Sequence, residues 1–306
     1  MSKRHKSLTG LERYNRVSQP VNLLFSALMI LCALMCVIPL ILVISVSLSK
    51  DRSLALYGYQ FIPHEYSGDA YMALFRSNSE IINAFIVSIV VTVLGTISGL
   101  IFNSLLAYTL SRRSYRYRRA ITLYITIPML FGGGMIPFYN VVANFLGLKN
   151  NILALILPMA VSTWNIIIIR TFFQSSVPDS IVESAMIDGA SQYKIYRSIV
   201  LPISKPVLAT IGLFLAFAYW NDWYNASLFI SNKNLKPLQY LLMEIQNNIN
   251  YLREASKTAS TMGTVKIPPE SMSMALVVVI VIPIACIYPF FQRYFISGLT
   301  IGAVKG

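Results

Sequence analysis

Charge is scarce in this chain. Only 12% of its 306 residues are Asp, Glu, Lys or Arg, where a soluble globular domain carries roughly 25%. Histidine is scarcer still, with His5 near the N-terminus and His64 the only two. No Gly-x-x-x-x-Gly-Lys-Ser/Thr occurs, which excludes ATP binding through a phosphate loop. The triple glycine Gly132-Gly133-Gly134 lacks the lysine and the strand–loop–helix setting. A hydrolase needs a nucleophile with a base in reach, and neither that pair nor paired carboxylates can be picked out, so no catalytic residue is assigned. An ion-coupled carrier places several ionisable groups inside its spans, and here only Asp222 qualifies. The three cysteines, Cys32, Cys36 and Cys286, give no disulfide framework and no metal spacing. They are expected to be small core hydrophobes.

What is there is apolar length. The composition is 56% hydrophobic and the mean hydropathy is +0.61. The apolar residues come in blocks of about 20, the length that crosses roughly 30 Å of hydrocarbon. The reading is an all-α, polytopic membrane protein with six transmembrane helices, over about residues 21–47, 83–110, 120–142, 151–172, 206–230 and 271–296. The first block is longer than the about 7–15 residues of a signal-peptide core and no small-residue cleavage site follows it, so it is an uncleaved span. The formal charge of +13 fits the membrane better than nucleic acid. Basic residues cluster in the tail 1–20 and in 111–119 (Arg112, Arg113, Arg116, Arg118, Arg119). Basic short connections stay in the cytoplasm, so both termini and the segment 173–205 are expected there.

Two features interrupt the spans. Gly95 and Gly99 form a Gly-x-x-x-Gly in the second, which lets another helix approach and is expected to serve packing within this chain. Pro128, the triple glycine and Pro137 break the third. Irregular backbone at membrane depth survives only where protein buries it or a wet cavity receives it, so a packing kink and a pathway lining both fit.

The polar connection 173–205 is patterned as two short helices. Ser176-Val177-Pro178-Asp179 has a hydroxyl for a cap, a proline for the first turn and an acid near the positive dipole end. Ile181, Ala185 and Met186 fall on one face of the helix that follows. Gly189 suits a sharply turned backbone. Ser191 or Gln192 then opens a second helix, with Tyr193, Tyr196, Ile199 and Val200 available for packing, and Pro202 and Pro206 redirect the chain. From the residues alone this is either a docking knob or an ordinary connection.

The run Glu183-Ser184-Ala185, then Gly189, then Ile199-Val200-Leu201-Pro202 resembles the "EAA" loop of permease subunits of binding-protein-dependent ABC importers. The spacing is kept throughout, with Ser184 for the middle alanine. Gly147-Leu148-Lys149-Asn150-Asn151 and Trp220-Asn221-Asp222 are similar to segments of the maltose-type sugar permeases. Phe131 to Pro137 resembles the branch serving complex oligosaccharides such as pectic, uronate or alginate fragments. The resemblance implies the type I importer transmembrane fold over 21–306, with a coupling helix–turn–helix at 173–205 and an external loop at 231–270. It further implies that Glu183, Ser184, Ala185, Asp188, Gly189, Ala190, Leu201 and Pro202 couple to an ATPase. There Glu183 would meet a basic residue, Ala185 would stay small against a cleft wall, Gly189 would permit the turn, and Asp188 would brace the second helix. No cofactor or metal is implied for this chain, since ATP and Mg sit on the partner ATPase. The implied partners are a second homologous permease, two cytoplasmic ATPase subunits, an extracytoplasmic sugar-binding protein and an oligosaccharide, in a bacterial plasma membrane.

The end of the fifth span, Phe217 to Asn225, is aromatic and amide-rich. Sugars stack C–H faces on rings and hydrogen-bond to amides, which makes Trp220, Asn221, Tyr224 and Asn225 candidates for the substrate path. An interfacial aromatic belt is the alternative. Residues 231–270 are long for a connection. They hold an amphipathic stretch, Leu238 to Leu252, and a Ser/Thr/Gly-rich piece, Lys257 to Lys266. In the resembling family the loop reaches toward the binding protein. The rival classes are an ion-coupled secondary carrier and a cargo-free membrane scaffold.

Overall fold

The computed structural model describes residues 18–76, 79–258 and 270–303. Among these the chain is helical throughout, with no strand beyond an isolated antiparallel bridge between Ser49 and Tyr66. The basic tail and most of the Ser/Thr/Gly-rich piece lie outside the described residues.

Helix α1 (Gln19–Ser47) is followed by the short helices α2 (Asp51–Tyr57) and α3 (Asp69–Arg76). Next come α4 (Ser79–Ser111), α5 (Arg118–Leu130), α6 (Met135–Phe145), α7 (Leu153–Ala160) and α8 (Thr163–Ser176). The segment 177–203 holds α9 (Asp179–Ile187) and α10 (Gln192–Ile203). The rest is α11 (Lys205–Trp220), α12 (Tyr224–Phe229), α13 (Leu238–Thr258) and α14 (Glu270–Ala303). Three helices, α1, α4 and α14, are long and apolar enough to cross a bilayer alone, and the number reaches six if each bent pair is one span.

Helix α4 is the axis of the fold and packs against α11, α8 and α7. Lipid tails are as apolar as leucine, so close backbone approach rather than water exclusion holds such helices together. A Cβ on Gly95 would stand 2.6 Å from the Tyr219 ring of α11, and one on Gly99 would stand 2.9 Å from Leu215. The Gly-x-x-x-Gly thus serves packing inside this chain. A second cluster joins Leu74, Ile81, Leu238 and Leu276, and a third joins Val142, Ala154 and Phe229. Helix α1 lies beside α14 and is exposed from Val21 to Ile41, as befits a helix facing lipid or another subunit.

Three expected spans prove to be broken. The third turns by 117° between α5 and α6, the fourth by 48° between α7 and α8, and α10 meets α11 at 83°. Pro128 and the glycines explain the first break. Gly134, at φ 82°, precedes α6 in a backbone conformation that a side chain would oppose. The fifth span stops as a helix at Trp220 and resumes at Tyr224. The cysteines correct an expectation: Cys32, Cys36 and Cys286 are all exposed rather than in the core. The reason is geometric, since the middle of α1 is exposed on all its faces and Cys286 lies on the exposed stretch of α14.

Candidate coupling site and translocation path

The segment between α8 and α11 is braced from one place, the end of α4. Four polar side chains there reach across. Ser104 Oγ and the Tyr196 hydroxyl share a hydrogen bond of 2.7 Å, and the Tyr108 hydroxyl donates to Gln192 Oε1 at 2.7 Å. The Tyr108 and Tyr196 rings lie 5.3 Å apart. Arg112, with a side chain only 9% exposed, meets Asp179 Oδ1 at 3.5 Å, and the exposed Arg113 meets Oδ2 at 3.6 Å. Ile195, Val200 and Val182 are buried in the same apolar cluster as Phe173 and Ile169 of α8.

Local rules explain the shape of α9 and α10. Asp179 sits in the first turn of α9, where the helix dipole favours an acid. Gly189 adopts φ 76° and reverses the chain, with Ala190 N–H bonding back to the Ala185 carbonyl at 2.9 Å. Ser191 caps α10, its hydroxyl accepting from Lys194 N–H at 3.3 Å. Pro202, which has no N–H to offer, follows a π-helical turn at Tyr196–Val200.

Two details of the expected helix start are corrected. Ser176 belongs to the end of α8, and Pro178 itself takes the cap position of α9 with no side-chain cap bond. The packed residue of α9 is Val182, at 3% exposure, while Ile181 and Met186 are exposed. The chain enters α9 two residues later than a cap at Ser176 would place it. Of the residues singled out from sequence, Glu183, Ser184, Asp188 and Gly189 are exposed, and Ala185 and Ala190 are half-buried. Leu201 is half-buried and Pro202 exposed at the far end of α10. With Ile187 at 87% exposure, the tip of the protrusion is an apolar and acidic surface on a firmly held base.

At the α11–α12 break the four path candidates part company. Trp220 is buried, with Nε1 donating to the Ile280 carbonyl at 3.1 Å and its ring edge-on to Phe85. It ties α11 to α14 and α4. Asn225 is buried too, donating through Nδ2 to Asp222 Oδ2 at 2.8 Å and through its backbone N–H to Oδ1 at 3.1 Å. Asn221 and Tyr224 remain exposed. Asp222 is therefore engaged in closing the turn into α12.

Residues that sequence reasoning passed over do much of the holding. Asn103, fully buried in α4, donates to the Ala160 carbonyl at 2.8 Å and accepts from Ser162 N–H at 2.9 Å. It satisfies the backbone freed where α7 and α8 part. Asn150, at φ 57°, accepts from Ser231 N–H, Ser231 Oγ and Asn232 N–H at 2.7, 3.0 and 2.9 Å. The signal for Asn103, Ser104 and Arg112 was present as polar residues in or at the end of an apolar run, which are costly unless they have a task. Among the described residues no three His, Cys, Asp or Glu side chains are placed to hold a metal ion.

Residues 92–301 match the family described as the binding-protein-dependent transport system inner membrane component. The chain belongs to that family. It is 40% identical to the polygalacturonan/rhamnogalacturonan transport system permease protein YtcP of Bacillus subtilis, over 93% of this chain and 98% of YtcP. It is 28% identical to the trehalose/maltose transport system permease protein MalG of Thermococcus litoralis, over 90% of this chain and 94% of MalG. Among solved structures it is similar to a bacterial ABC transporter involved in import of the acidic polysaccharide alginate. There the TM-score is 0.79 at 29% identity, over 92% of this chain and 99% of that one. The chain is thus a membrane-embedded permease component of the ABC sugar-importer kind, with the type I importer fold. The ion-coupled carrier finds no support among these relatives.

Proposed function

We propose that this chain is one of two permease subunits of an ATP-driven importer of oligosaccharides released from acidic polysaccharides. A second homologous permease completes the path, two ATPase subunits grip the underside, and an extracytoplasmic binding protein delivers the sugar. ATP and Mg belong to the ATPases, and this chain binds no cofactor. Both termini and α9–α10 face the cytoplasm, in keeping with the basic segments around Arg113–Arg119.

The observation that carries the reading is the braced protrusion. A lever must not bend at its root, and α9–α10 is tied to α4 by Ser104–Tyr196, Tyr108–Gln192 and Arg112–Asp179. Its tip, by contrast, offers Glu183, Ser184 and Ile187 to another surface. Closure of the ATPases would push on this tip, and α4, the axis of the fold, would carry the displacement to α7, α8 and α11. Glu183, Ser184 and Ala185 make the ATPase contact, Gly189 and Ala190 form the turn, Asp188 braces the second helix, and Leu201 and Pro202 fix the return into α11. On the path itself the exposed Asn221, through its amide oxygen, and Tyr224 meet sugar hydroxyls and C–H faces, while Trp220 and Asn225 hold the break in shape. The relatives named for polygalacturonan, rhamnogalacturonan and alginate support an acidic cargo.

The test is uptake in proteoliposomes holding both permeases, the ATPases and the binding protein, fed with labelled oligogalacturonides. Wild type should accumulate label only with ATP. Gly189→Val forces a β-branched side chain into left-handed backbone and should assemble but hydrolyse ATP without uptake. Normal uptake by that variant would remove the coupling assignment.

A further inference from the structure

Where the start of α5 meets α8 lies a basin of about 880 Å³ lined by Arg113, Arg116, Arg118, Arg119, Arg170 and Thr122. No aspartate or glutamate lines it. Of the five arginines only Arg113 has a carboxylate among the described residues, the 3.6 Å contact with Asp179 that it shares with Arg112. Arg170 reaches Thr122 Oγ1 at 3.3 Å through Nη1, and its buried Nε has no partner.

The helix that forms one wall adds to the imbalance. The thirteen-residue α5 begins at this basin with no side-chain cap and no acid in its first turn, and Arg118 and Arg119 occupy that turn instead. The Arg118 N–H donates to the Tyr115 carbonyl at 3.2 Å, but the positive end of the dipole still repels cations there and attracts anions. A sequence that stacks guanidinium groups on an uncapped helix start is unfavourable unless an anion is present to neutralise both. Just beyond, Leu123, Ile127 and Leu130 of α5 are exposed and apolar, so the basin opens onto a surface suited to acyl chains.

We propose that this basin binds the phosphate of an anionic phospholipid, with Arg118, Arg119 and Arg170 on the phosphate oxygens and the acyl chains along α5. Arginine's planar fork suits phosphate, and its weak hydration suits a partly buried site. The lipid would fill the junction between α5 and α8 and hold α5, the arm leading into the 117° break, in a fixed position. This goes beyond the transport reading and depends only on the chain lying in a bilayer.

Native mass spectrometry of the complete importer, extracted from membranes containing phosphatidylglycerol and cardiolipin, tests it. Wild type should keep an anionic lipid that exchanges with added phosphatidylglycerol but not with phosphatidylcholine. The double variant R118Q/R119Q should lose it. Two charges removed from a membrane-surface site correspond to roughly a thirtyfold weaker association. R170Q should also lose the lipid, and R116K should keep it. Equal retention by wild type and both glutamine variants would overturn the proposal. So would displacement by millimolar inorganic phosphate alone, which would make the ligand soluble, or an importer that holds no lipid because a neighbouring subunit's carboxylates fill the basin. Since the readout is bound mass, it stands apart from whether the importer carries oligogalacturonides.

Discussion

Asn103 on α4 spans the gap between two helices of the fourth span, donating to the Ala160 carbonyl at 2.8 Å while accepting from Ser162 N–H at 2.9 Å. One amide side chain thereby supplies both partners that the 48° break removes. Each buried backbone group left unpaired costs about 1–3 kcal/mol, and no water stands ready at that depth. Asn103→Leu should therefore destabilise the chain by about 2–5 kcal/mol on that basis. Thermal unfolding of the detergent-solubilised importer checks this. An unchanged transition in the leucine variant would mean the break is satisfied otherwise.

Gly95 and Tyr219 form a close helix contact, and the ring cannot swing away because its hydroxyl donates to the Ile156 carbonyl at 2.8 Å. Gly95→Ala should cost about 1–3 kcal/mol through overpacking. In a Tyr219→Ala background the same change should cost much less. A double-mutant cycle on unfolding midpoints reads the coupling directly. Equal costs in both backgrounds would show that the two helices do not meet at this pair.

The division between what the sequence made legible and what it hid follows from how each element is stabilised. Spans α1, α4 and α14 are continuous apolar runs, and any such run of about 20 residues announces itself. The turn at Gly189 was legible because left-handed backbone leaves few choices of residue. The breaks at Val161–Ser162 and at Asn221–Trp223 were not, since they contain no glycine. They depend on Asn103, and on Asp222 with Asn225, residues whose partners lie in space or on the far side of the turn. In sequence Arg112 is one more basic residue of the segment 111–119, whereas in the fold its side chain is nearly buried beside Asp179. Trp220 read as a belt or sugar-stacking residue, because an indole serves both. Only its bond to the Ile280 carbonyl reveals it as a tie between helices.

Asn150 combines left-handed backbone with a carboxamide oxygen that gathers three donors from Ser231 and Asn232. Asn150→Gly keeps the backbone and loses the bonds, whereas Asn150→Ala loses the bonds and adds roughly 1–2 kcal/mol of strain. Limited proteolysis of the 230–237 connection should accelerate in the order wild type, glycine, alanine. Identical rates for the two variants would remove the backbone part of the argument.

At the root of the protrusion, Asp179→Asn should lower stability by less than about 1 kcal/mol, because the aspartate is half exposed and such pairs are weak. It nonetheless leaves Arg112 and Arg113 without their shared counter-charge. The expected signature is a looser lever, seen as a several-fold drop in sugar transported per ATP at near-normal assembly. Coupling ratios measured with Asp179→Asn and Asp179→Glu separate the effects, with glutamate expected to recover most of the ratio. A full ratio in the asparagine variant would dismiss this ion pair as part of the brace.

The central claim is that the tip of α9 is held by a nucleotide-driven partner on the cytoplasmic side. Its most direct measurement is site-specific cross-linking from Ser184→Cys, in a background where Cys32, Cys36 and Cys286 are serine. A cross-link to the ATPase subunit is expected, with a yield that changes between the ATP-bound and nucleotide-free importer. A cysteine at 184 that never reaches the ATPase, or that an impermeant thiol reagent modifies from outside intact cells, would contradict it.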